Sequence, residues 1–201
     1  MDLLQNVIHS GLGDLQWTNP TRWEPLPDGG LRVLAQARTD FFRNPDGSPP
    51  NENGHYLWLP VEGDVVVRAH VHPTFASTYD AGALMVRADS THWAKLCYEA
   101  TDFGTHAIVS VVTDGRSDDA NGVNLDLPSV WLQIVRQGDL LAMHYAPDGE
   151  NWRMTRYFRL DMPSELAVGV VAQSPVGSGT IVDFHHFSVE RRRVANMRAG
   201  V

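Results

Sequence analysis

The segment His92-Trp93-Ala94-Lys95-Leu96-Cys97-Tyr98-Glu99 holds a dense set of chemically able side chains. In an extended strand, alternate residues share a face. Trp93, Lys95, Cys97 and Glu99 therefore stand on one side, and Ala94, Leu96 and Tyr98 on the other. Lys95 is the only lysine in the chain. A lysine and a glutamate in mid-strand predict a face open to water, because buried charges are costly unless paired. The preceding run agrees, with Leu84, Val86 and Ala88 suited to a core and Met85 and Arg87 opposite them. Val130–Gln137 sets Trp131, Gln133 and Val135 against Leu132, Ile134 and Arg136. The expectation is one sheet whose outer face presents Arg87, Trp93, Lys95, Glu99 and Gln133, bordered by Asp40 and His55. An indole can stack on the apolar face of a pyranose while charged and amide groups bond its hydroxyls. The same pattern also fits a solvated face with a Lys–Glu pair worth little energy.

Other constellations are weaker. His70-Val71-His72 places two imidazoles on one strand face, as in cupin metal sites. No carboxylate follows until Asp80, Pro73 ends the run, and His185 and His186, being adjacent, are expected on opposite faces. These residues read as surface histidines, and no metal ligand set is predicted. Asp114, Asp118, Asp119, Asn121 and Asp126 are oxygen donors in one stretch, so calcium is the alternative to a chain without cofactors, but no calcium-loop spacing is present. Cys97 has no activating neighbour and reads as a half-buried free thiol. With one cysteine, an intrachain disulfide and a zinc site of four cysteines, or of two cysteines and two histidines, are excluded within one chain.

The elements that must position these residues are short β-like runs: Leu31–Arg38, Asp64–His72, Ala81–Arg87, Trp93–Glu99, Thr105–Thr113, Val130–Gln137, Leu140–Ala146, Trp152–Leu160, Leu166–Gln173 and Thr180–Glu190. Pro27-Asp28-Gly29-Gly30, Gly138-Asp139 and Pro147-Asp148-Gly149 supply turn chemistry. Asp148-Gly149 predicts a hairpin, with Trp152 closing over it. Phe42–Tyr56 and Asp114–Pro128 read as long loops, functional or mobile by their length. Met1–Leu12 is the fair helical candidate. Residues 190–201 read as a basic tail, expected to fray, after a single domain spanning 1–189. The fold class expected is all-β, a two-sheet antiparallel sandwich.

The formal net charge of −8 argues against nucleic-acid binding, which needs a basic surface. No run is long and apolar enough to span a membrane. The first residues lack the basic and apolar regions of a secretory signal, so a cytoplasmic location is expected.

Ordered pieces of the chain resemble a bacterial and fungal family of unknown function, whose fungal members are described as regulators of enolase. They are Thr39-Asp40-Phe41-Phe42, Tyr79-Asp80-Ala81-Gly82-Ala83-Leu84-Met85-Val86-Arg87, Trp93-Ala94-Lys95 with Glu99, Ser110-Val111-Val112-Thr113, Ser117-Asp118, Tyr145-Ala146-Pro147-Asp148-Gly149-Glu150-Asn151-Trp152, Val168-Gly169-Val170 and Ser174-Pro175. The resemblance runs from about Trp17 to Val189 and implies a concanavalin A-like lectin/glucanase jelly roll. It carries no established activity. The chain departs from the family at Asp119, where a tryptophan is usual, near Gln133, where an arginine is, and after Asp80, where a glutamine often follows. The Glu-x-Asp-x-x-Glu string of the glucanase branch is absent, so the paired carboxylates a glycosidase needs are not evident. The expected function is a non-catalytic carbohydrate- or glycoconjugate-binding domain using the outer, concave face of one sheet. The alternatives are a regulatory module that binds a protein partner, and a glycan-acting hydrolase.

Overall fold

The alternating runs fold as strands, and the long loops contribute further ones. A computed structural model describes residues 1–5, 7–27 and 29–201. After the short helix α1 (Val7–Ser10) come β1 (Gln16–Thr18), β2 (Trp23–Pro25), β3 (Leu31–Gln36), β4 (Phe41–Phe42), β5 (Asn51–Glu52), β6 (His55–Glu62), β7 (Val65–Pro73) and β8 (Ala81–Arg87). They are followed by β9 (His92–Ala100), β10 (His106–Asp114), β11 (Arg116–Asn124), β12 (Val130–Gln137), β13 (Leu140–Ala146), β14 (Arg153–Arg159), β15 (Glu165–Gln173) and β16 (Gly179–Glu190). One antiparallel sheet runs β1-β6-β15-β8-β9-β10-β11 and the other β14-β13-β12-β7-β16-β3-β2, with β4-β5 a separate hairpin. This is the expected two-sheet sandwich. The helical candidate Met1–Leu12 shrinks to α1; it includes Asn6, which lies outside the described residues, as does Asp28 in the turn before β3.

The core lies between the sheets, as period-2 patterning requires. Val65, Val67, Ala69 and Val71 of β7 face Leu84, Val86, Leu96 and Tyr98 of β8 and β9, all buried. Gly149 takes φ 78° in the β13–β14 turn. A Cβ there would stand 2.9 Å from the Trp131 ring, so the turn closes on Trp131, not on Trp152.

The two expected long loops are structured. Residues 40–54 fold as the β4-β5 hairpin over the outer face of the first sheet. There Phe41 joins Tyr56, Ala83, Met85, Trp93, Cys97, Val109 and Val171 in a second apolar cluster. Phe41 lies against Gly54, where a Cβ would come within 2.8 Å of its ring, so the hairpin can settle only because that residue lacks a side chain. Residues 116–124 form the edge strand β11, which engages oxygen donors of the stretch separately: Asp118 pairs with Arg156 at 2.9 Å, while Asp114 lies near His92.

The basic tail packs against the second sheet. Val194 is buried with Val66 and Val135 on the outer face of the second sheet, beside Met197. Gln133 donates to the Gly200 carbonyl at 3.0 Å, and His144 lies 2.9 Å from the Met197 carbonyl. A frayed end was expected because chain termini are commonly poorly ordered, but Val194 and Met197 supply an apolar anchor. Val194→Asp is expected to cost about 2 kcal/mol, the order of one buried valine, and to expose residues 190–201 to limited proteolysis. An unchanged cleavage pattern would contradict the docking.

Candidate functional site

Strand register assembles the site row by row. Across β8-β9-β10, Ala81 pairs with Glu99 and Glu99 with Ala107. Across β9-β10-β11, Lys95 pairs with Val111 and Val111 with Asp119. Gln173 on β15 pairs with Ala81. The small side chains beside Glu99 leave room above it, and the Asp40-Phe41-Phe42 segment forms the opposite wall. The resulting pocket holds about 250 Å³ and is lined by Asp40, Phe42, Tyr79, Lys95, Glu99, Val111, Asp119, Gln173 and Pro175.

Lys95 is buried, at 1% exposure, and so is Trp93 at 2%. The sidedness read from alternation stands: Ala94, Leu96 and Tyr98 belong to the inter-sheet core. The openness does not, because the β4-β5 hairpin covers that face. Lys95 Nζ donates to Asp40 Oδ1 and to Gln173 Oε1, each at 2.9 Å. Burial is the largest influence and opposes the ammonium, but the Asp40 carboxylate, with Cys97 and Glu99 adding to it, outweighs burial and Lys95 is pushed up to about 12. This is a closed ion pair and not a free cation.

Glu99 is 8% exposed and lines the pocket, and among the described residues its carboxyl has no hydrogen-bond partner. Burial, with Asp119 and Asp40 adding to it against the pull of Lys95, raises it to about 8. Glu99 is therefore mainly protonated at neutral pH, offering one O–H donor and acceptor oxygens. Asp119, on the edge strand, is also raised, chiefly by desolvation. Burial lifts the Cys97 thiol well above its ordinary range, which leaves it neutral and inert.

The rim is fixed by Asp80, which is fully buried. Its Oδ2 accepts from the Ala76 and Ser77 amides at 3.0 and 2.8 Å, and its Oδ1 from the Ser174 hydroxyl at 2.6 Å. This network ties the turn before β8 to the end of β15 and holds Tyr79 and Pro175 at the mouth. Tyr79 sits at φ 67°, a left-handed conformation costly for an aromatic residue, with its amide donating to the Ala100 carbonyl at 2.6 Å.

Of the residues expected in the site, the structure brings Asp40, Lys95 and Glu99 together. Trp93 is a core residue whose indole donates to the Ser90 carbonyl, so it offers no stacking face. Arg87 lies over the Phe41 ring at 5.4 Å, outside the pocket lining. His55 lies 2.7 Å from the Asn19 carbonyl and accepts from the Gln36 amide at 3.1 Å, so both ring nitrogens are structural. Gln133 is on the other sheet, bonded to Arg68 and covered by the tail. Tyr79, Gln173 and Asp119 were not expected as ligand groups. Asp119 was marked as a departure from the family pattern and as one oxygen donor of a possible calcium loop, and that position lines the pocket. A larger cleft of about 520 Å³ lies at the β2-β3 edge of the second sheet. Its Arg32 is engaged by Glu24 and Asp183.

The family model described as "Protein of unknown function (DUF1349)" matches residues 17–192. The chain belongs to this family. It is 26% identical over 174 residues to "Regulation of enolase protein 1" of Saccharomyces cerevisiae, covering 86% of this chain and 87% of that protein. A crystal structure of a functionally unknown protein from Saccharomyces cerevisiae superposes with a TM-score of 0.84 at 24% identity, over 90% of this chain and 98% of that one. The GH43 BlXynB protein of Bacillus licheniformis gives 0.69 at 13% identity, over 94% of this chain and 38% of that one. Carbohydrate binding module CBM66 of Bacillus subtilis gives 0.55 at 14% identity, over 87% and 94%. The DUF1349 chain thus shares the concanavalin-like sandwich of these proteins.

Proposed function

We propose that this DUF1349 chain is a carbohydrate-binding domain whose ligand is a neutral sugar ring, or a polyol of that size, seated over Glu99. The observation that carries this reading is the Glu99 side chain, 8% exposed and lining an opening of about 250 Å³ together with Asp119, Phe42 and Tyr79. That volume is below the roughly 300–1,000 Å³ usual for drug-sized ligands and suits one ring. The protonated carboxyl can donate to a ring hydroxyl, and Asp119 can accept from another. Phe42 and Tyr79 supply the apolar faces first assigned to Trp93. Lys95 is already neutralised by Asp40 and Asp119 adds negative charge, so uronic acids and sugar phosphates are disfavoured. The carbohydrate-binding module and GH43 proteins of the same fold support a sugar as ligand.

A thermal-shift screen tests this. Neutral sugars, including xylose, arabinose and their oligomers, are expected to raise the thermal midpoint, while glucuronate and glucose 6-phosphate do not. Stabilisation by the anionic members alone would contradict the reading. Release of reducing ends from neutral oligosaccharides would replace binding by hydrolysis. The name of the yeast relative supports a second reading, a regulatory module docking on an enzyme. Its signature is retention of one enzyme on the immobilised protein with no sugar raising the midpoint.

A further inference from the structure

The outer face of the second sheet carries a histidine cluster remote from the pocket. His70-Val71-His72 was set aside as a metal motif because no carboxylate follows until Asp80, Pro73 ends the run, and His185 and His186 were expected on opposite faces. The β7–β16 ladder shifts register between Phe184 and His186. The bulge gives β16 one extra residue on this face. Phe184 and Phe187 both point into the core, and both intervening histidines turn outward. The His185 ring lies 5.3 Å from His70 and 5.8 Å from His72, and His186 lies 5.0 Å from Trp131.

His70 lies 2.9 Å from the Ser129 hydroxyl and stacks on Trp131, and His186 pairs with Asp2 at 3.1 Å. His72 and His185 lie beside Asp183, which pairs directly with His72 across the strands. One ligand atom from each of His72, Asp183 and His185 lies within 4.8 Å of the others. We propose that His72, His185 and Asp183 form a surface site for a borderline divalent transition-metal ion such as Zn²⁺, Co²⁺ or Ni²⁺.

Tetrahedral bonds of roughly 2.0–2.2 Å from zinc to nitrogen and oxygen set donors about 3.4 Å apart, so side-chain rotations draw the set inward by about 1 Å or more. Imidazoles with one carboxylate select such ions over Mg²⁺ and Ca²⁺, which prefer oxygen shells. Arg32 forks onto Asp183 with two bonds of 2.7 Å. A carboxylate has about four lone-pair sites, so Asp183 can keep Arg32 as an orienting neighbour and still bind an ion. The half-exposed histidines leave the remaining coordination positions to water. The donors span β7 and β16, neighbours in the middle of the sheet, so an ion fastens the two strands together.

The test uses tag-free protein stripped with chelator. Calorimetric titration with ZnCl₂ and with NiCl₂ is expected to show one site per chain. An ion at about a hundred times its dissociation constant is expected to raise the thermal midpoint by about 5 °C. MgCl₂ and CaCl₂ are expected to give no shift. His72→Gln and Asp183→Asn, checked for folding by circular dichroism, are expected to weaken binding at least tenfold. His92→Gln, at the distant Asp89–Asp114 cluster, is expected to leave it unchanged. Absence of binding below millimolar zinc, or full binding in His72→Gln, would overturn the proposal.

Discussion

Glu99→Gln is expected to raise the thermal midpoint at pH 8.5 by about 5–10 °C and to leave it nearly unchanged at pH 5, by a shift of about 2–4 °C per kcal/mol for a chain this size. In the folded protein Glu99 titrates at about 8 because burial penalises its charge, against an ordinary value of 4.5. Between those two pH values the native state holds a proton that the unfolded chain has released, so stability falls as pH rises. The full effect is present below the unfolded value and is lost as pH passes through the folded one. Each pKa unit corresponds to about 1.36 kcal/mol, so the native protein loses on the order of 3 kcal/mol between pH 5 and pH 8.5. Glutamine keeps the shape and a donor but has nothing to ionise. Carboxylates held low, such as Asp2, lose stability on the acid side, but comparing variant with parent at each pH cancels them. Equal midpoint shifts at both pH values would mean that Glu99 is not a protonated buried acid.

Lys95→Met is expected to cost about 3–5 kcal/mol, the range for removing one partner of a buried ion pair. The loss comes from Asp40, whose carboxylate keeps the Phe41 amide bond at 2.7 Å but loses its buried counter-charge. Adding Asp40→Asn is expected to recover a substantial part, so urea unfolding of the two single variants and the double variant gives a clear coupling energy. A cost under about 1 kcal/mol for Lys95→Met, the range of an exposed pair, would return this face to solvent.

Period-2 alternation was enough to place the two faces of β7, β8 and β9, because a strand has only two sides. It was not enough to say which outer face meets water. The cover over the first sheet comes from Asp40-Phe41-Phe42, where a turn-rich stretch hides two aromatic residues and a glycine they need. The charges of Lys95 and Glu99 argued for exposure one residue at a time, and the partner that permits burial, Asp40, lies 55 positions away. Asp40, Lys95 and Glu99 were legible as chemistry, but their assembly depended on long-range register. Gln133 was assigned to the wrong sheet because alternation fixes a face within a strand and not the sheet to which the strand belongs. The histidines of β16 were misread because a bulge suspends alternation at one step, and no residue type in Phe184-His185-His186-Phe187 marks it except the spacing of the two phenylalanines.

The direct test of the sugar pocket is where a sugar perturbs the protein. Amide chemical shifts of the ¹⁵N-labelled chain would be followed during titration with the neutral sugar that stabilises it most in the thermal screen. Perturbations are expected at Asp40–Phe42, Tyr79–Ala81, Glu99, Asp119 and Gln173, and are expected to vanish in an Asp119→Trp variant, which fills the pocket mouth. Perturbations confined to the Arg22–Arg32 cleft of the second sheet, or none with any neutral sugar at tens of millimolar, would contradict a sugar-binding role for the pocket.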